Sequence, residues 1–343
     1  MRYKCTVSYC GAAYCGWQSQ KNGASIQEQI ENALFQLTTT KTNITASGRT
    51  DAGVNAEGQV FHFDTELVMT ERKWKGALNA LLPKDIHIRK VEAVDELFHA
   101  RYCVKAKRYD YRVNLGEYDV FTRDYVYQCP YPVDVQKIRE AAAYLQGKHN
   151  FASFCSNSFA EIPDQTRTLY AVDVSQQGQI LTISYYGKGF LRYMVRMMTA
   201  QLLEAGRGRI QPEEIKVLLE AQSKTVSRRK AKPEGLTLKE VEYFRILAMD
   251  QKVMIREYLP DDPAQPHSSD EYAFVERNSQ NLLGCLRITE GERVNLKLCA
   301  EEMPGEEFLQ EILFRMHSAY PDKELILQAG DVKLSVDSAG NKI

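Results

Sequence analysis

The segment Gly48-Arg49-Thr50-Asp51-Ala52-Gly53-Val54-Asn55 sets one carboxylate and one guanidinium two residues apart, between two glycines. Alternate residues of an extended backbone project to the same side, so Arg49 and Asp51 are expected to face one cavity. Glycine permits tight turns and close approach of another molecule, which suits Gly48 and Gly53 to a loop at a binding surface. An arginine beside a carboxylate favours its ionised form. Such an aspartate can be a nucleophile, a base or a metal ligand. The octapeptide alone leaves those roles open, along with the plainer alternative of a surface turn carrying an incidental ion pair.

A second chemical feature lies in residues 97–114, expected as a strand. Lys105, Lys107, Tyr109 and Tyr111 fall on one face, and Arg108, Asp110 and Arg112 on the other. A basic and aromatic face suits nucleic acid, whose bases stack on rings while cations track the phosphates. The alternative is an edge strand whose tyrosines pack on the sheet. The run Ser227-Arg228-Arg229-Lys230-Ala231-Lys232 reads as a solvated basic loop, and His62 and His99 as histidines satisfied locally.

The eight cysteines are Cys5, Cys10, Cys15, Cys103, Cys129, Cys155, Cys285 and Cys299. The first three lack the close pairing that zinc sites favour. No apolar run follows the N-terminal charges and none reaches about 18 residues, so neither a signal peptide nor a membrane span is expected. Reduced, mostly buried thiols, no metal and a cytoplasmic setting follow from that reading.

The elements that must position these residues are expected in a 343-residue chain that is 44% hydrophobic and 26% charged, enough for a sizeable core. Residues 1–9 alternate as a strand. Ser25 and Glu28 form a capping-box pattern opening a helix through Leu37. A strand is expected at 58–63, a helix at 74–82 and a strand at 86–94. Beyond residue 114 come a helix at 134–147, strands at 168–175 and 179–186, a methionine-rich helix after Arg192, a helix at 212–221 and a strand at 236–246. This order suggests two related α/β halves, 1–110 and 111–250, on one extended, mainly antiparallel sheet, an α+β fold. The stretch from Leu259 to Pro266 reads as a linker-like loop. Residues 251–343 read as a separate small α+β unit. They carry 10 Lys+Arg and 17 Asp+Glu, a net charge of −7, which leaves 34 and 28, a net of +6, for residues 1–250. A basic module suits a polyanion and an acidic extension does not.

Several motifs in order carry a resemblance. Gly48 to Val54 followed by Gln59-Val60-Phe61-His62-Phe63 strongly resembles the active-site signature of the tRNA pseudouridine synthase A (TruA) family. Also similar are Gly16-Trp17-Gln18-Ser19-Gln20, Leu78-Asn79-Ala80-Leu81-Leu82-Pro83-Lys84-Asp85-Ile86, Phe98-His99-Ala100-Arg101, Lys107-Arg108-Tyr109-Asp110-Tyr111, Phe190 to Arg196, and Lys232 to Leu236. The resemblance spans about residues 1–247. It implies a pseudouridine synthase fold and isomerisation of uridine in the tRNA anticodon stem-loop, at tRNA positions 38, 39 and 40, without a cofactor. It implies a homodimer, with tRNA as partner. It makes Asp51 the catalytic aspartate, acting on the sugar or on the ribose 2′ proton, and Arg49 the group that keeps it ionised. Tyr109 is the active-site tyrosine against the uracil, and Arg196 a second partner of Asp51. Substrate contacts are expected from Lys105, Lys107, Arg108 and Asn55, and phosphate contacts from Arg228, Arg229 and Lys230. The family usually has His where Asn55 stands, an apolar residue or proline at Lys232, and Val-Gly where Met198-Thr199-Ala200 follows Arg196. These departures bear on target choice more than on catalysis. Two other classes compete. A catalytically silent tRNA-binding chaperone with a partner-recruiting extension would not need Arg49, Asp51 and Tyr109 intact. A metal-dependent nuclease or glycosidase would want more acidic groups than Asp51 and Glu57.

Overall fold

The computed structural model describes residues 1–343 except Asn22, Arg228, Arg245, 250–252, Pro260, Asp261, His267, Ser269, Asn278, Ser279, Asn281, Glu292 and the last two residues. The chain divides into two compact units, residues 1–94 with 104–242, and residues 95–103 with 243–343.

The first unit runs β1 (Arg2–Tyr9), α1 (Ile26–Thr38), β2 (Thr45–Ala46), β3 (Asn55–Asp64), α2 (Glu71–Leu81), β4 (Ile86–Val94), β5 (Val104–Asn114), β6 (Tyr127–Gln128), α3 (Val135–Ala143), β7 (Gly147–Asn150), β8 (Thr166–Gln177), β9 (Ile180–Gly187), α4 (Met194–Gly206), α5 (Glu214–Ala221) and β10 (Leu236–Tyr243). Strict alternation makes β1, with Tyr3, Cys5, Val7 and Tyr9 buried. Ser25 caps α1 by accepting the Glu28 N–H at 3.2 Å, and Ile26, Ile30, Ala33 and Leu34 supply its buried stripe. In α4, Met194, Met197 and Met198 are buried core filler.

The strands join in the order β4-β1-β3-β10-β5-β9-β8-β7, with β2 beside β3 and β6 beside β5. Most pairs are antiparallel, as between β1 and β3 or β5 and β9. The exceptions include β10 on β3, where Thr237 pairs with Asn55 and Leu238 with Ala56. The fold is α+β. The last strand of this unit therefore lies mid-sheet, beside the residue that ends the signature segment. The division expected at residue 110 falls inside β5.

The strand expected over 97–114 begins only at Val104. Residues 95–103 instead close on themselves. The Phe98 N–H donates to the Asp95 carbonyl and the Cys103 N–H to the His99 carbonyl, each at 3.0 Å, and His99 Nδ1 accepts from the Arg101 and Tyr102 N–H groups at 3.2 Å. Local bonds of this kind compete with a sheet ladder. The helix expected to run to residue 147 stops at Ala143, and Gly147, at φ 105°, opens β7.

The second unit contains β11 (Ile246–Met249), β12 (Val253–Arg256), β13 (Glu271–Glu276), β14 (Leu282–Glu290), β15 (Val294–Ala300), α6 (Glu306–Ala319), β16 (Leu325–Ala329) and β17 (Val332–Val336), with seven strands among the described residues, in sequence order across the sheet. All described pairs are antiparallel except β15 with β16, which α6 connects. Leu286, Ile288, Leu296 and Leu298 pack with Phe308, Leu309, Ile312, Leu313 and Met316 of α6. The stretch read as a linker is anchored in this unit. Asp262 is buried and takes both ends of the Arg256 guanidinium, at 2.7 and 2.9 Å, together with the Leu259 N–H at 2.7 Å. Pro260 and Asp261 lie outside the described residues. Among the described residues no helix is long and apolar enough to cross a membrane.

Candidate active site

Residues 47–54 form the loop from β2 to β3, and backbone contacts hold it against residues 14–17. The Trp17 N–H donates to the Thr50 carbonyl at 3.1 Å, the Gly53 N–H to the Tyr14 carbonyl at 3.3 Å, and the Val54 N–H closes a turn on the Asp51 carbonyl at 3.1 Å. Gly16 has φ +106°, and a Cβ there would lie 2.6 Å from the Thr50 carbonyl oxygen. Only glycine fits that approach. Side chains brace the other side. The Tyr9 and Thr50 hydroxyls are 2.8 Å apart, Ser47 donates to Gln59 Oε1 at 2.7 Å, and Gln59 Nε2 donates to the Gly48 carbonyl at 2.9 Å. Lys107 Nζ donates to the Ser47 carbonyl at 2.8 Å, so this expected substrate contact is a strut of the loop.

Asp51 sits with 22% of its side chain exposed. Its Oδ2 is 3.4 Å from Nη1 of Arg196, which is itself only 12% exposed. Arg196 lies in the first turn of α4, and its Nε donates to the Ala231 carbonyl at 2.8 Å, which fixes the guanidinium. Tyr193 precedes α4 at φ 62°, a left-handed conformation uncommon for a bulky side chain. Three cations surround its ring: Lys230 Nζ at 4.1 Å from the centroid, Arg192 Cζ at 5.1 Å and Arg196 Cζ at 5.5 Å. Burial pushes the Asp51 carboxyl above its ordinary value, against the opposing pull of Arg196, Arg192 and Lys230.

Two expectations change here. The guanidinium on Asp51 belongs to Arg196 and not to Arg49, which is exposed and is not among the groups acting on that carboxylate. Residues 49–51 are loop and not strand, so two-residue alternation does not aim their side chains together. The net shift of the carboxyl is also upward, because desolvation outweighs the cations.

Tyr109 is buried on β5 with its ring edge-on to Phe190, centroids 5.0 Å apart. Burial, with smaller contributions from Tyr9 and Asp51, raises its phenol above the ordinary value. It is therefore a neutral group at physiological pH, within the field of Asp51. Lys105 lies half-buried two residues before Lys107. Arg108 points to the other face of β5, its Nε 3.5 Å from Asp110 Oδ1 and its Nη2 3.5 Å from the Ser184 hydroxyl.

Asn55 is 2% exposed, and its amide is spent on three backbone groups. Oδ1 accepts the Gly11 N–H at 2.8 Å, and Nδ2 donates to the carbonyls of Asp124 at 2.9 Å and Glu234 at 3.1 Å. The expected substrate contact is thus a clamp tying three loops to the start of β3. Arg229 pairs with Glu204 at 3.2 Å, and Arg228 lies outside the described residues. Buried His62 is held near a value of about 4 by desolvation, so it is neutral at pH 7. Arg192 and Tyr193 were not singled out from the sequence. Arg192 was legible as a cation four residues before Arg196, whereas nothing in a tyrosine signals a positive φ.

A family model for tRNA pseudouridine synthase matches residues 6–103 and 141–244. This chain belongs to the tRNA pseudouridine synthase family. The matched segments contain Asp51 and Arg196, while Tyr109 falls between them. Among named relatives, tRNA pseudouridine synthase A 1 of Bacillus cereus is 45% identical over 244 residues, 71% of this chain and 98% of its own length. tRNA pseudouridine synthase A of Anoxybacillus flavithermus is 44% identical over 243 residues, covering 71% and 98%. The Bacillus licheniformis protein of the same name is 44% identical over 246 residues, covering 71% and 99%. A solved structure titled "Crystal Structure of a Cbf5-Nop10-Gar1 Complex" aligns with 69% of this chain at 10% identity and a TM-score of 0.29, too low to carry an argument. As a tRNA pseudouridine synthase the chain is an isomerase, and its relatives match almost end to end while leaving 29% of it outside the match.

Proposed function

We propose that this tRNA pseudouridine synthase acts on uridines of the anticodon stem-loop, with Asp51 as its catalytic carboxylate, Arg196 as the cation that holds that carboxylate, and Tyr109 against the uracil. The observation that carries the reading is the convergence of Asp51, Arg196 and Tyr109 from a loop, a helix and a strand far apart in sequence. The reaction breaks the bond from ribose C1′ to uracil N1, turns the base, and forms the bond from C1′ to C5. The C5 proton leaves, N1 gains one, and the product is an isomer. Asp51 attacks C1′ or removes the 2′ proton, and both roles need the ionised carboxylate, which Arg196, Arg192 and Lys230 favour against burial. Tyr109, neutral at working pH, is suited to stacking and hydrogen bonding and poorly suited to acting as a base. A uridine must leave its stack to reach a half-buried carboxylate, so base flipping is part of the reaction. Arg192 and Lys230, which lie against the Tyr193 ring beside Asp51, would meet the phosphates of the flipped nucleotide.

The test is incubation of the full chain with unmodified tRNA transcripts, followed by mapping of pseudouridine. Conversion confined to the anticodon stem-loop and lost in Asp51→Asn supports the proposal. Tight tRNA binding without conversion overturns it in favour of a silent binding protein. We propose further that the enzyme works as a cytoplasmic homodimer. Tyr118, Val120 and Phe121 are respectively 68%, 52% and 91% exposed on one loop, a surface that a second copy would cover.

A further inference from the structure

Cys285 of β14 and Cys299 of β15 are register partners across an antiparallel pair. Burial raises the Cys285 thiol above its ordinary value, and the neighbouring Cys299 adds to that rise. Both lie on the face of the sheet turned away from α6, since the flanking Leu286, Leu296 and Leu298 point into the core and alternate residues point out. Cys299 is exposed and Cys285 partly so. By contrast Cys5, Cys103, Cys129 and Cys155 are buried.

The geometry decides what two such thiols can do. Directly opposed residues of an antiparallel pair have Cα atoms about 4.5 or 5.5 Å apart, and both values fall within the roughly 4.4–6.8 Å span that a disulfide bridges. Their Cβ atoms are about 4.5–5.5 Å apart in an undistorted sheet, whereas a disulfide draws them to about 3.8 Å. The bond can therefore form without moving a strand out of register, and it pulls the two strands together as it forms. A bridge strained in that way is more readily reduced than a relaxed structural one.

We propose that Cys285 and Cys299 form a reversible dithiol–disulfide pair that takes low-molecular-weight disulfides as its oxidant. One thiolate attacks the small disulfide, forming a mixed disulfide and releasing one small thiol. The second protein thiolate then displaces the other small thiol and closes the bond between Cys285 Sγ and Cys299 Sγ. Each cysteine loses one proton, and the electron pair ends on the two released thiols. The outward position of the pair gives the oxidant access, and its placement on strands gives the second thiolate a fixed, short approach, so closure outruns accumulation of the mixed disulfide.

The test uses the full chain, reduced and then incubated with oxidised glutathione, blocked with iodoacetamide and mapped by peptide mass spectrometry. The expected result is one intramolecular bridge between Cys285 and Cys299, two hydrogens lighter than the dithiol, reopened by an excess of reduced glutathione. Cys285→Ser and Cys299→Ser each lose the bridge and accumulate a glutathione adduct on the surviving cysteine at least tenfold above its level in the parent. Circular dichroism of the reduced variants, unchanged from the parent, separates loss of the thiol from loss of the fold. A wild-type chain that keeps both thiols free, accumulates the mixed disulfide, or bridges either cysteine to a different partner overturns the proposal.

Discussion

Replacing Arg196 with Met should impair the enzyme most at low pH. Two unit charges 3.4 Å apart attract by roughly 5 kcal/mol at an effective dielectric of about 20. Most of that is returned as the cost of desolvating the pair, and a hydrogen bond to a charged group leaves about 1.5–3 kcal/mol net. At about 1.4 kcal/mol per factor of ten, the ionised fraction of Asp51 should fall roughly ten- to hundredfold wherever pH lies below its titration. Burial already raises this carboxyl, so the acid limb of the rate profile should move further up in pH, and rate should recover as pH rises. The assay is single-turnover release of tritium from C5-labelled uridine in tRNA, measured across pH. Arg196→Lys should move the limb less, since it keeps the charge but loses the bond to the Ala231 carbonyl. Arg49→Met should leave the limb where it is and act on KM alone. A uniform loss at every pH in Arg196→Met, or a shifted limb in Arg49→Met, would refute the assignment of the ion pair.

Other outcomes follow from the same contacts. Asp51→Asn should abolish conversion yet match or exceed wild-type stability in urea at neutral pH; a carboxyl raised by burial costs stability above its unfolded-state value, and the advantage should vanish as pH falls through the range where both states are protonated. Asn55→Asp should lower the unfolding free energy by about 3–5 kcal/mol, read as a lower urea midpoint, because it sets a carboxylate against the Asp124 and Glu234 carbonyls in a buried site; an unchanged midpoint would dismiss the clamp. Gly16→Ala should cost at least about 2 kcal/mol from the unfavourable φ and the clash with the Thr50 carbonyl and should lower kcat by displacing Asp51, which a stability measurement paired with kinetics would show. Phe121→Glu should convert a dimer to monomers in sedimentation, with the fold intact by circular dichroism.

What could be read from the sequence was local. The alternation of β1 and the Ser25 cap involve neighbours in the chain, and both appear where expected. Asp51 stood out because glycines and a cation surround it within eight residues. Its actual partner lies 145 residues away; no spacing rule reaches that far, so spacing pointed to the nearer Arg49, and Arg196 entered as a second partner only through the family resemblance. Asn55 drew attention as an oddity of the motif, but the reason for it is tertiary: Asp124 and Glu234 become its acceptors only when the sheet is assembled. The net direction of the Asp51 shift was likewise out of reach, since it depends on how much solvent the fold removes. The strand expected from residue 97 starts only at Val104, because short-range bonds to Asp95 and His99 fold the preceding residues on themselves.

The central place of β10 bears on how the protein is made. Its seat lies between β3 and β5, strands built from residues 55–64 and 104–114, yet it is among the last parts of the first unit to leave the ribosome. Until residues 236–243 emerge, a nascent chain holds two facing strand edges with unfilled backbone donors and acceptors, the state most prone to pairing with another chain. The Glu234 carbonyl that Asn55 needs arrives in the same interval. Translation arrested before that point should yield an aggregation-prone fragment without activity.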